Sequence, residues 1–329
     1  MFEARLRLEG RIVRCAGGAM LATVLAAIAA RPVRAQEGPI TPWTGERGIT
    51  ETVEQIMERE ARTGSLLEQN AALPVHKSPR RADLAQNPDS PSTAEWPPLG
   101  ASSAAGGVAT GSILPPTPGT SFLSAQLSES GFIPPDSDGA VGPTQILVVV
   151  NGRIKVFSKA GVVGGLNAST NTFFNSVRNN SNTSDPQVKY DRLSGRWIIT
   201  MINVSTPNRV MIAVSSGSTI TSQSNFTFFF FQQDQVAPTG NTGDLADYPH
   251  LGVDANALYI GVNMFAGNNF DGSTGFVVQK ASVLASGPIV ATAFRGMASA
   301  SGPGPASPTG VDNDDPASTE GYFLGTSNN

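Results

Sequence analysis

The residues best suited to chemistry are carboxylates set close to prolines. Asp136 follows Pro134 and Pro135, Asp185 precedes Pro186, Asp247 stands two residues before Pro249, and Asp315 precedes Pro316. Carboxylates that converge on one point can hold Ca²⁺, which needs several oxygen ligands, or another polar ligand. The same placement also suits a turn, in which the Asp accepts a backbone N–H while the nearby Pro fixes φ. Asp138 extends the first member to "DSDG", which partly matches a calcium loop but lacks the remainder, including the distal glutamate. A second group, Tyr190, Arg196 and Trp197 in "YDRLSGRW", could form a stacking surface for a sugar, or Trp197 could fill a core.

Other chemistries find little support. The chain has one cysteine, Cys15, and two histidines, His76 and His250. Thiolate nucleophiles, disulfides and thiolate metal sites are therefore absent from any chain that has lost its first residues. Two histidines make a zinc site unpromising, and no Gly-x-Ser-x-Gly elbow accompanies them for a serine hydrolase. No catalytic residue is assigned.

The elements that must position these residues begin after a leader. Arg5, Arg7, Arg11 and Arg14 precede the apolar run "CAGGAMLATVLAAIAA", and "VRA" before Gln36 offers small residues at Val33 and Ala35. Residues 1–35 read as a secretory signal peptide, since the uncharged run falls short of the roughly 20 residues of a spanning helix. Cleavage removes six arginines and two glutamates from totals of 22 basic and 26 acidic residues, leaving 16 against 24 and a net charge of −8. Such a chain is a poor partner for nucleic acid.

Residues 36–120 read as an N-terminal region with one amphipathic helix over about 49–63, capped by Thr50, followed by a linker rich in Pro, Ser, Gly and Ala. From Ser121 the texture changes to short β-branched and aromatic runs between turn residues, among them "QILVVVN", "RWIITMIN", "RVMIAVS", "FTFFFFQQ" and "ALYIGVN". Residues 121–329 are expected to be all-β.

The runs also repeat. "PPDSDGAVGPTQILVVVN", "SDPQVKYDRLSGRWIITMIN" and "ADYPHLGVDANALYIGVN" each join an Asp near a Pro to a strand that ends in Asn. Their final asparagines, Asn151, Asn203 and Asn263, lie 52 and 60 residues apart. A fourth start is read in "VDNDDPASTEGYFLGTSN", where Tyr322 follows Tyr259 by 63 residues. Repeats of this length with about four strands predict the blades of a β-propeller rather than a sandwich. Three blades and part of a fourth do not close a ring, so the reading includes an incomplete C-terminus. In such an arrangement the four Asp residues gather near one mouth of the central channel.

Together with "IPPDSDGAVGPTQILVVVNGRIKVFSKAG" and "GVDNDDPASTEGYFLG", these repeats resemble a group of exported bacterial proteins with sialidase-like propellers. The resemblance covers about residues 121–329 and implies an extracytoplasmic propeller with no assured enzyme activity. A sialidase would need an arginine cluster and a tyrosine activated by a glutamate. Arg153, Arg192, Arg196 and Arg209 follow no such pattern, and only Glu129 and Glu320 lie in the region. The expectation is thus a secreted or envelope-associated scaffold for an unknown protein or glycan, without a transmembrane segment in the mature chain. The alternative is a glycan hydrolase whose catalytic residues are partly missing.

Overall fold

The computed structural model describes residues 41–63, 119–299 and 304–327. The signal peptide and the linker expected from the sequence lie outside them. The elements in chain order are β1 (Trp43–Thr44), β2 (Ile49–Thr52), α1 (Val53–Thr63), α2 (Leu127–Ser130), β3 (Asp138–Val141), β4 (Gln145–Val150), β5 (Arg153–Ser158), β6 (Val163–Ala168), α3 (Thr170–Phe173), β7 (Thr183–Asp191), β8 (Arg196–Asn203), β9 (Arg209–Ser215), β10 (Asn225–Gln232), β11 (Leu245–Val253), β12 (Ala257–Ala266), β13 (Asn269–Gln279), α4 (Lys280–Leu284), β14 (Val290–Ser299), β15 (Pro305–Gly310) and β16 (Phe323–Ser327). The structure is mostly β, in four antiparallel sheets.

Sheet one runs β3-β4-β5-β6, sheet two β7-β8-β9-β10, sheet three β11-β12-β13-β14 and sheet four β15-β16. Each is a meander of consecutive strands, which needs only short turns. The first strands of successive sheets lie side by side, β3 by β7, β7 by β11 and β11 by β15. The described helices are short apart from α1, and none is long and apolar enough to cross a membrane.

Alternation within single strands builds the core. In β8, Trp197, Ile199 and Met201 face sheet one, while Ile198 and Ile202 face sheet three. All five are buried, which is why the run reads apolar at every position although its period is two. The layer between sheets one and two adds Leu147, Val149, Ile154, Val156, Phe226 and Phe228. The layer between sheets two and three adds Phe229, Phe231, Leu258, Ile260 and Phe276. Lys280 and Asp191 form a buried ion pair at 2.6 Å across that second junction. The same lysine donates to the Asp254 carbonyl.

Three features depart from expectation. Residues 41–63 belong to the β-rich body: β1 extends sheet three beyond β14 and β2 extends sheet two beyond β10. The helix also begins later than Thr50. Thr52 Oγ1 accepts the Gln55 N–H at 3.0 Å and Gln55 Oε1 accepts the Thr52 N–H at 2.8 Å, a reciprocal cap that starts α1 at Val53. Third, the first strand of sheet four is β15, "PASPTG", which lies upstream of Asp315.

β7, β11 and β15 share one irregularity. In β7, β11 and β15 the register slips between Ser184 and Gln187, Asp247 and His250, and Ala306 and Thr309. At each slip a residue of positive φ precedes a proline: Asp185 at 58°, Tyr248 at 55° and Ser307 at 48°. A bulge accommodates a proline that has no N–H to give to a ladder. Asp136, at φ 38°, holds the corresponding place before β3.

Phe228 is fully buried and touches Phe173 edge-on at 5.0 Å. Truncation there leaves a cavity between sheets one and two. Phe228→Ala is expected to cost about 3–5 kcal/mol in a denaturant titration, and a loss below about 1 kcal/mol would contradict the assigned packing.

Candidate functional site

The repeated asparagines and the bulges meet at the junctions between sheets. At the first junction the Asn151 side chain is fully buried. Its Oδ1 accepts the Asp185 N–H at 2.8 Å, and its Nδ2 donates to the Pro134 carbonyl at 2.9 Å and to Asp136 at 2.7 Å. At the third junction Asn263 Oδ1 accepts the Ser307 N–H at 2.8 Å, and its Nδ2 donates to the Ser307 hydroxyl at 3.0 Å. In both cases an asparagine in or just after the second strand of one sheet supplies the acceptor for the bulge of the next.

The middle junction is wired differently. Asn203 stands opposite Thr183, two residues before Asp185, whereas Asn263 stands opposite Asp247, one residue before Tyr248. Asn203 Oδ1 turns to its own sheet and accepts the Arg209 N–H at 2.6 Å. Asp185 Oδ2 accepts the Tyr248 N–H instead, at 3.1 Å, and Asn208 Oδ1 accepts the Ala246 N–H at 2.9 Å. With Asn203 offset in register, the acceptor at this junction is the Asp185 carboxyl.

That carboxylate has acidic neighbours. Burial, the Asp247 charge and, more weakly, the Asp136 charge push Asp185 up to about 8, against the opposing hydrogen bonds from Ser184 and the Tyr248 N–H. Burial pushes Asp247 up to about 6, with Asp136 acting in the same direction and a hydrogen bond with Asp185 opposing. Two hydrogen-bonded carboxyls in a partly dehydrated site cannot both ionise freely. Asp136, Asp185 and Asp247 thus lie close enough to act on one another's acidity.

Tyr248 and His250 complete the cluster. Tyr248 remains 38% exposed, and its phenol is raised by burial and then by the charges of Asp136, Asp185 and Asp138. Its ring meets the His250 imidazole edge-on, with centroids 4.1 Å apart. Burial lowers the His250 pKa, Asp138 opposes that effect and Lys189 adds to it. Its Nε2 is buried with no hydrogen-bond partner among the described residues.

The other sequence candidates have different surroundings. Asp138 lies beside the cluster, but its Oδ2 accepts the Val188 N–H and its Oδ1 the Gly139 N–H, both at 2.8 Å. Asp315 is exposed in the loop between β15 and β16, where its carboxylate accepts the Ala317 N–H at 2.9 Å. It follows the first strand of sheet four, so it has no counterpart position to Asp185. Among the described residues no group of three or more His, Cys, Asp or Glu is arranged to hold a metal ion. The expected Ca²⁺ set of Asp136, Asp138, Asp185, Asp247 and Asp315 is thus divided between turn bonds, sheet junctions and the exposed loop between β15 and β16.

The sugar platform is also overturned. Trp197 is fully buried, its Nε1 donates to the Ser218 carbonyl at 3.0 Å, and Gly142 packs so closely that a Cβ there would lie 2.5 Å from the indole. Tyr190 meets that indole edge-on at 4.9 Å, and Arg196 Nη1 donates to the Ser215 carbonyl at 2.7 Å. Tyr248 and His250 are the residues that sequence reasoning undervalued. The available signal was position, since Tyr248 and not Asp247 directly precedes the repeated proline. Compared with family models, curated proteins and solved structures, the chain gives no match.

The carboxyl cluster makes stability pH-dependent. Asp185 and Asp247 hold their protons more tightly folded than at the ordinary value of 3.8. Their contribution is complete below about pH 4 and is lost as pH rises through about 6 and then about 8. In urea titrations at pH 5 and pH 8.5, Asp185→Asn should lose less stability over that interval than the parent chain does. Parallel pH profiles for the two would contradict the shared-proton arrangement.

Proposed function

We propose that the chain is an exported β-propeller-type binding scaffold whose sheets are blades and whose ligand face surrounds Tyr248. Support for the blade reading comes from the consecutive meanders, the neighbouring first strands and the repeated bulge at sheet junctions. Export rests on the leader-like residues 1–35.

The observation that carries the binding reading is the posture of Tyr248. A bulky residue at φ 55° is strained, and strain of this kind is retained where surrounding structure enforces it. Here the Tyr248 N–H is held by Asp185 while the side chain stays partly exposed near Asp136, Asp185 and Asp138. An aromatic face beside acidic groups that gain charge as pH rises recognises a cationic group, such as a lysine or arginine side chain of a partner protein.

One observation favours a glycan hydrolase. Tyr322 Oη donates to Glu320 at 2.8 Å, a pairing that reaction would use. The candidate arginines have other engagements: Arg153 with Glu60 and Asn167, Arg196 with Ser215, and Arg209 with the Val177 carbonyl and the Phe230 ring. Arg192 lies 3.9 Å from Asp314. The scaffold reading therefore takes precedence.

Calorimetric titration at low salt with a lysine hexapeptide and with a neutral hexasaccharide separates the readings. The scaffold should bind the peptide saturably, more tightly at pH 8 than at pH 5 as Asp247 and Asp185 ionise. Tyr248→Ala should weaken it about two- to fivefold. Indifference to Tyr248, or release of reducing ends from a glycan, would contradict the proposal.

A further inference from the structure

Residues 43–63 form a strap whose three parts serve three different sheets. β1 pairs with the outer edge of sheet three through Trp43 opposite Ala291 and Thr44 opposite Val290. The Gly45 N–H to Ile289 carbonyl bond at 2.8 Å and the Ile289 N–H to Glu46 carbonyl bond at 3.1 Å continue the seam. β2 pairs with the outer edge of sheet two, from Ile49 opposite Phe228 to Thr52 opposite Asn225. α1 then buries Val53 and Ile56 in the layer between sheets one and two, and Glu60 bonds Arg153 of sheet one at 2.7 Å.

The strap is distant in sequence from the edges it covers; Thr50 and Thr227, joined through their hydroxyls at 3.0 Å, are 177 positions apart. Nothing in these bonds requires that strap and sheets belong to the same chain. Residues 64–118 connect the strap to sheet one, and that many residues can span up to roughly 180 Å, far enough to reach a neighbouring molecule. The edge beneath β2 is "NFTFFFFQ", whose unpaired N–H and C=O groups would otherwise accept a strand from any source.

We propose that this strap exchanges between copies, so that the outer edges of β10 and β14 are an interaction surface for residues 43–63 of a second copy of this chain. Identical bonds form in cis and in trans, and the balance follows protein concentration against the effective concentration set by the connecting residues. The strap thereby guards the phenylalanine-rich edge in one molecule and links molecules when they are crowded.

The test is a cross-link placed at the seam. In the full chain carrying Cys15→Ser, the pair Thr50→Cys and Thr227→Cys sets two thiols opposite each other. After refolding at rising protein concentration and oxidation, a covalent dimer should increase with concentration and should contain both partners when tagged and untagged chains are mixed. Either single substitution should give only background dimer. A purely intramolecular bond at every concentration, or no bond at all, would overturn the proposal. A second readout uses no cysteine. At Gly48 a Cβ would lie 2.4 Å from Thr227 Cγ2, so Gly48→Val should displace the strap. A labelled peptide of residues 41–63 should bind that variant at least tenfold more than the parent, and equal binding would overturn exchange.

Discussion

The sheet stack depends on the N–H of the bulge residue. Three first strands carry a proline that interrupts their ladder, and the residue before it turns to positive φ. Its N–H then points away from its own sheet and would be an orphan in a dehydrated junction, at a cost of about 1–3 kcal/mol. In each case a side chain of the preceding sheet accepts it: Asn151 for Asp185, Asp185 for Tyr248 and Asn263 for Ser307. A local defect within each strand becomes the bond between one sheet and the next.

The candidate site follows from one failure of this pattern. Asn203 is offset by one position relative to its first strand, so Asp185 supplies the acceptor at the middle junction. A carboxylate there draws its properties from burial and from Asp247 and Asp136, and it fixes the posture of Tyr248. The same group therefore holds two sheets together and sets the acidity of the face that we assign to binding.

Much of this was legible in the sequence, with characteristic errors. The strand runs could be read because alternation and turn residues are local. The fourth member was misplaced because Asp315 and Pro316 imitate the motif, whereas the true bulge, Ser307 and Pro308, has no carboxylate. Trp197 was open to either reading, although Ile199 and Met201, which share its face, pointed inward. The strap was not legible, since short strands that pair with distant partners, such as Thr50 with Thr227, 177 residues away, leave no periodic signal.

The central claim is that a side-chain acceptor for the bulge N–H holds successive sheets together. Its most direct test is the unfolding free energy of Asn151→Ala, measured beside Asn175→Ala, whose side chain is exposed. The account predicts a loss of about 3 kcal/mol at Asn151, where the Asp185 N–H and the Pro134 carbonyl lose their partner, and almost none at Asn175. Equal, small losses at both positions would contradict it.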